Sequence, residues 1–383
     1  MAIDLLVTDR NLNVLGDPLD GWTDLSCDLN FKTPATGSVA MPARPEYEAL
    51  LQPGNRLVVI RDGAIWCAGP MEQPQQFEWA VDGEQDPGKV TVGFSDDLAR
   101  IAGYLTYPDP TVNLASQTVV SDPTYQLTAT NAETIIRTLV NLNCGPGAIT
   151  ARRIEQLVLD TAAGVGTNTS ISTRFEPLLD VCRTVASGDG LGFRTYQVGD
   201  QIKFAVYAPV DRTGTARFSR NLGNLRSASF TLAAPTATSE LVMGGDTGTR
   251  QFVEVTSGAA PDWYRVEKLL DQSGTTDVNG ELTQAANLEL GNDNPQVSLS
   301  TVTVDTEDLR AGRDFGLGDK VTVELASGFE VADLVYTIRL EATPGGGELV
   351  TSVIGKGDQT TDTRTVQQIR GLARRLGRIE TRR

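Results

Sequence analysis

Leu50-Leu51-Gln52-Pro53-Gly54-Asn55-Arg56-Leu57-Val58-Val59-Ile60-Arg61-Asp62-Gly63-Ala64-Ile65-Trp66-Cys67-Ala68-Gly69-Pro70 reads as two strands and the turn between them. Pro53-Gly54-Asn55 makes a turn that releases the apolar run Leu57 to Ile60. Arg61 to Ala64 folds that run back into Ile65 to Ala68. Asp-Gly supplies the positive φ of a tight hairpin turn, and β-branched residues suit a pleated surface. The pattern returns where Gly318-Asp319-Lys320 precedes Val321 to Leu325, Ser327-Gly328 turns, and Val331 to Leu340 runs back. Gly54 and Gly318, Leu57 and Val321, and Val59 and Val323 then hold equivalent places. Two copies so far apart predict two related β domains with other material between them, not a short-period solenoid. Coincidence stays open at this point, because Gly199-Asp200-Gln201-Ile202-Lys203-Phe204 shows the turn a third time.

From Asp4 to about Gly103 the text is mostly strand. Leu25, Cys27, Leu29 and Phe31 alternate with polar neighbours, as do Val90, Val92 and Phe94, the pattern of a sheet with one wet face. Short helices interrupt at Pro45 to Leu51 and at Ser95 to Ile101, where Ser95, Asp96 and Asp97 suit a cap and first turn. Tyr104 to Thr124 reads as an extended connection. Asn131 is placed to cap a helix from Ala132 to about Asn143, with Ile135, Ile136, Leu139, Val140 and Leu142 on its buried side. A second helix opens at Glu176-Pro177 with Leu178, Leu179, Val181, Cys182 and Val185 inside, and a hairpin of Leu191 to Tyr196 and Ile202 to Tyr207 follows. After Asp211 the strand candidates are Ala216 to Phe218, Leu225 to Leu232, Glu240 to Met243, Phe252 to Val255 and Val297 to Val302, with a helix at Asn279 to Gly291. Leu349 to Ile354 is expected to close a second barrel.

The fold class is therefore β-rich α+β. Residues 1–104 form a first β-barrel domain and 105–212 an α+β accessory domain. Residues 213–355 form a second barrel with an inserted accessory segment around 240–295. Residues 356–383 form a linker and a basic C-terminal helix. At 383 residues each domain has length enough for its own core. Cys27, Cys67, Cys144 and Cys182 are scattered and form no CxxC pair or disulfide framework.

With 49 Asp and Glu against 33 Lys and Arg, the chain is no basic nucleic-acid binder. An acidic wall does suit DNA that must slide past without counterion release. Met1 to Val7 lacks a secretory signal, and no run reaches membrane-spanning length, so no membrane insertion is expected. The tail reverses the charge: Arg364, Arg370, Arg374, Arg375, Arg378, Arg382 and Arg383 face one acid, Glu380. Within it Ile369, Leu372, Leu376 and Ile379 fall at a/d spacing, a seam for docking on a partner or on copies of itself.

The chain has no histidine, which excludes Ser-His-Asp and Cys-His nucleophiles and imidazole zinc sites. A pair of carboxylates of the glycosidase type is not excluded, but nothing singles one out. Gly164-Val165-Gly166-Thr167 and Gly244-Gly245-Asp246-Thr247-Gly248 lack the lysine of a phosphate loop. Asp96-Asp97 and Glu307-Asp308 have calcium-compatible oxygens but read as cap and turn residues. No catalytic residue, cofactor or metal site is expected. A second reading, a host-surface polysaccharide-binding module, rests on Trp22, Trp66, Trp79 and Trp263 as sugar platforms.

Several segments, taken in order, resemble the tail-hub, or minor tail, proteins of long-tailed phages of actinobacteria: Leu5 to Leu25, Leu50 to Gln73, Val90 to Gly103, Leu139 to Ala148, Gly190 to Pro209, Phe218 to Leu225, Asp314 to Val323 and Leu372 to Glu380. The resemblance implies a fold like the baseplate hub of contractile-tailed phages, with two tube-type antiparallel β barrels and α/β accessory domains between and beside them. It further implies a homotrimeric ring of six barrels at the virion tail tip. The distal tail protein or tail tube would lie above it, a central fibre or tip proteins below, and the tape-measure protein, then genomic DNA in transient passage, in the channel.

Overall fold

The computed structural model describes residues 3–71, 75–78, 88–117, 124–245, 249–258, 260–273, 280–293, 296–325, 328–344 and 347–355. The opening segment comprises β1 (Ile3–Thr8), β2 (Asp24–Asn30), β3 (Thr36–Pro42), α1 (Pro45–Leu50), β4 (Arg56–Arg61), β5 (Ala64–Pro70), β6 (Gln75–Glu78), β7 (Lys89–Ser95) and α2 (Leu98–Ala102). The hairpin is present: β4 and β5 pair antiparallel around Asp62 (φ 52°) and Gly63 (φ 80°), both left-handed as a type I′ turn requires. The register jumps between Val59↔Cys67 and Ile60↔Ile65, so Trp66 is the extra residue of a bulge. β1 completes this sheet on the other edge of β4.

The middle segment comprises β8 (Tyr125–Asn131), α3 (Ala132–Asn143), β9 (Leu157–Leu159), β10 (Asn168–Thr173), α4 (Leu178–Gly188), β11 (Gly192–Val198) and β12 (Gln201–Tyr207). Asn131 caps α3 as its spacing predicts, its side chain accepting from Thr134 N at 3.3 Å. Ile135, Ile136, Leu139 and Val140 are fully buried against Leu178, Cys182, Phe193 and Phe204; Leu142 is only half-buried.

The last segment comprises β13 (Arg217–Ser219), β14 (Leu225–Ala233), β15 (Ser239–Gly245), β16 (Gln251–Thr256), β17 (Glu267–Ser273), α5 (Glu281–Asp293), β18 (Gln296–Thr303), β19 (Lys320–Glu324), β20 (Glu330–Thr343) and β21 (Gly347–Ile354). β15, β16 and β17 form a sheet under α5 with a small core of its own. The main sheet runs β13-β19-β20-β2-β3-β7-β6, with β21 also on β20. Strands from both ends of the chain thus share one sheet, where β2 pairs with β20 from Leu25↔Ala342 to Asn30↔Thr337. Leu5, Val59, Phe94, Phe218, Val323 and Val350 share one core. The protein is β-rich with few helices, and among the described residues no set of strands closes into a barrel. β21 is laddered to β20 on one edge, and toward β18 it is bridged by side chains: Ser352 N donates to Thr303 Oγ1 at 2.8 Å, and Thr301 Oγ1 donates to Ser352 O at 3.3 Å.

The two hairpins match in detail. Gly54 and Gly318 have φ of 87° and 84°. Met71 N donates to Asn55 O and Val335 N to Asp319 O, each at 2.9 Å. Leu57, Val59 and Met71 are fully buried, as are Val321, Val323 and Val335. The third Gly-Asp, Gly199-Asp200, occupies another kind of place, the tight turn joining β11 to β12. The copies differ at their outer neighbours, since β1 lies antiparallel to β4 while β13 lies parallel to β19.

Gly69 marks a close crossing. A Cβ there would sit 2.2 Å from Ser95 O and 2.4 Å from the Asp96 carbonyl carbon, which are main-chain atoms with no rotamer to yield. Gly69→Ala should lose about 3 kcal/mol in urea denaturation, whereas Gly63→Ala, whose Cβ meets open space, should lose about 1 kcal/mol to its positive φ alone. Equal losses would contradict the crossing.

Candidate functional site

β4 ends in an arginine on each side, and each guanidinium binds a different part of the molecule. Arg56, 1% exposed, donates through Nε to Asp97 Oδ1 at 3.1 Å and through Nη2 to Asp97 Oδ2. Its Nη1 donates to Thr8 Oγ1 at 3.0 Å and to Gln197 Oε1 at 3.1 Å. One buried cation therefore joins β1, β4, the start of α2 and β11. Arg61 donates to Glu348 Oε1 at 2.8 Å and to Asp305 Oδ2 at 3.3 Å, and lies 4.9 Å over the Trp66 ring. Burial works against its charge, but Glu348 and then Asp305 more than offset it and raise its pKa. At the second hairpin Asp319 does comparable service, accepting from Val210 N, Arg212 Nε and Gly316 N at 2.8, 2.8 and 2.9 Å.

The parts so joined leave a cleft of about 790 Å³ between β5, β11 and the loop leading to β19. Ile65, Trp66, Tyr196, Tyr207, Phe315 and Arg310 are among its walls. Trp66 Nε1 and Thr195 Oγ1 are buried there without a hydrogen-bond partner. Asp96 lies against the cleft; burial, with the neighbouring Asp97 charge, pushes it up to about 7. Asp97 is likewise raised by burial, against the pull of Arg56.

The sequence reading of Asp96 and Asp97 as helix caps holds for Asp96 and needs correction for Asp97. Asp97 makes no side-chain cap bond, because both its oxygens are spent on Arg56, although Asp96 Oδ1 does accept from Leu98 N at 3.1 Å. Glu307 and Asp308 are exposed. Among the described residues no group of Cys, Asp and Glu is arranged to hold a metal ion. Trp22 and Trp66 pack against the main core and Trp263 is half-buried; of the described tryptophans only Trp66 lines the cleft, and Trp79 lies outside the described residues. The C-terminal seam, Ile369, Leu372, Leu376 and Ile379, also lies outside them. Arg56 and Arg61 were not singled out in the sequence, because no local pattern marks a charge at the end of an apolar run as buried.

Arg56→Met should cost about 3–5 kcal/mol by leaving Asp97 buried and alone, and Arg56→Met with Asp97→Leu should cost less than either single change; additive losses in urea melts would argue against a coupled pair. The Asp96 carboxyl, held above its ordinary 3.8, binds its proton in the folded state where an unfolded aspartate has lost it. Stability should therefore fall as pH rises from about 4 to about 7. Asp96→Asn should flatten that slope and raise stability at pH 8, and an unchanged slope would rule Asp96 out as its source.

A search of curated proteins by sequence finds no match. Among solved structures the fold is similar to the 43 kDa tail protein of prophage MuSo2 from Shewanella oneidensis, at 12% identity and TM-score 0.60, covering 92% of this chain and 98% of that one. A tail protein from Neisseria meningitidis MC58 gives 14% identity and TM-score 0.58 over 93% and 97% of the two chains. The prophage tail protein gp18 from Listeria monocytogenes EGD-e gives 11% and 0.57 over 97% and 99%. A family model described as Siphovirus ReqiPepy6 Gp37-like protein matches residues 4–356. With that match spanning nearly all of it, the chain belongs to this siphovirus family and has the fold of phage tail proteins.

Proposed function

We propose that this phage tail protein is the structural, non-enzymatic hub of the tail tip. Three copies form a ring that joins the sixfold tail tube or distal tail protein to threefold tip or fibre proteins and lines the path of DNA exit. In this reading residues 1–104 and 213–355 carry two quasi-equivalent tube-type units, which within one chain share a sheet and a core, residues 105–212 and the segment around 240–295 are their accessory domains, and the tape-measure protein occupies the channel before ejection.

The observation that carries the proposal is the matched pair of hairpins, with Gly54 and Gly318 in the same left-handed turn and Asn55 and Asp319 accepting the same main-chain bond. A chain with two such units presents six similar faces per trimer while its unrepeated parts remain threefold. The formal charge of −16 suits a wall that DNA passes without sticking. Ile369, Leu372, Leu376 and Ile379 supply a seam for the threefold side.

Counting copies per virion by quantitative mass spectrometry should give three. One or six copies would overturn the ring. Deleting residues 356–383 should weaken tip assembly while leaving the urea melt of the remaining chain unchanged, and assembly at full strength would remove the role given to the seam.

A further inference from the structure

We propose that the cleft between β5 and β11 is a docking groove for an extended, acidic polypeptide segment of another tail protein, which adds to the free edge of β11 and offers carboxylates to Arg194 and Arg310. Only the source of the segment depends on the chain's place in a tail; the groove itself follows from geometry.

β11 is an edge strand, paired with β12 alone. Among the described residues no main-chain group of Gly192–Val198 has a partner outside that ladder. Exposed edges are usually blunted by proline, bulges or charged side chains, lysine above all; of these devices Gly192-Phe193-Arg194-Thr195-Tyr196-Gln197-Val198 carries only the single charge of Arg194, and its ladder is unbroken. Five successive residues of it, Phe193 to Gln197, line the cleft. On the facing wall the bulge in β5 sets Trp66 out of register, and its indole Nε1 is buried without an acceptor; Thr195 Oγ1, on β11 itself, is also unpartnered. Buried donors without acceptors are costly, and because both side chains belong to the walls of the cleft, a turn of either toward an occupant's carbonyl or carboxylate oxygen would satisfy it.

The charges choose the occupant. Of the cleft's arginines, Arg61, Arg212 and Arg313 are spent on Glu348 and Asp305, Asp319, and Asp314. Arg194 and Arg310 have no carboxylate partner among the described residues, and Arg194 stands 5.5 and 5.6 Å over the rings of Tyr196 and Tyr207. The acids facing the same space are Asp319, held by Arg212, Asp62 at the exposed hairpin tip, and Asp96, which burial keeps partly protonated near neutral pH. A positive cleft on a chain of formal charge −16 favours an acidic segment over a basic one. A polypeptide fits better than a small anion or a sugar chain, because an open strand edge presents alternating N–H and C=O that only another main chain complements.

The full-length protein would be panned against a random octapeptide display library, and enriched sequences synthesised. Acidic, alternating sequences should be enriched. They should bind about tenfold more weakly to Arg194→Ala or Arg310→Ala, the scale of one charge-assisted hydrogen bond. N-methylation at alternate residues should reduce binding by a similar factor, and the Trp66 indole N–H resonance should shift on titration. Both arginine variants should melt as the parent does, and Thr195→Val gives a smaller, independent loss. Enrichment of nothing, or of basic or uncharged sequences, would overturn the proposal, as would an unmoved Trp66 resonance or full binding by the methylated peptide. Equal competition by polygalacturonate would reassign the cleft to acidic sugar. Dissociation of the homo-oligomer by Arg310→Glu, with no peptide enriched, would reassign it to a second copy of the chain. A copy number other than three with peptide binding intact would refute the ring alone, and three copies without peptide binding would refute the groove alone.

Discussion

The guanidinium of Arg56 is the constraint on which the joining of the parts depends. A cation withdrawn from water incurs a large desolvation penalty, recovered only when every nearby acceptor is in place. Here those acceptors come from Thr8, Asp97 and Gln197: the first is laddered to Arg56 itself and the second is tied by its main chain to Ala68 of β5, so it is Gln197, from the middle segment, that the guanidinium newly recruits. The first sheet therefore docks on the middle segment in one orientation. At the far end of β4, Arg61 makes the same demand of Glu348 and Asp305. Four residues lie between the two arginines, five steps of extended chain or roughly 17 Å, so β4 acts as a spacer whose ends are held by different parts of the protein. The cleft lies where the parts so held do not quite meet.

Apolar periodicity made many of the individual elements legible in advance. α3, Leu142 apart, and α4 bury the side chains their spacing selects, the Asp-Gly turn sits between β4 and β5, and Val90, Val92 and Phe94 fall on one strand. What escaped was structure whose pattern is weak or whose partner is distant. β17, Glu267-Lys268-Leu269-Leu270-Asp271-Gln272-Ser273, has two apolar residues and buries only Leu270, so alternation gives no signal. The pairing of β2 with β20 joins positions more than three hundred residues apart, and no local pattern records it. The ion pair of Arg56 and Asp97 was hidden in a similar way: each residue has an ordinary local explanation, strand end and helix cap, and only their meeting shows that both are buried.

The two hairpins share a frame while their attachments differ. The left-handed glycine, the entry turn and the three inward side chains are common to both copies, because these depend only on the hairpin. The residue after the glycine differs. Asn55 turns its amide to Leu50 O at 2.8 Å and tidies the end of α1, whereas Asp319 holds Val210, Arg212 and Gly316 and so ties the second hairpin to the chain emerging from the middle segment. The outer strand differs too, antiparallel in one copy and parallel in the other. On the proposed ring, such a division suits two hairpins that look alike to a common neighbour while being attached differently to their own chain. Similarity resides in the main-chain geometry of the hairpin, and difference in the polar side chains at its base, where one amide-to-carboxylate exchange recruits a different partner without moving the strand.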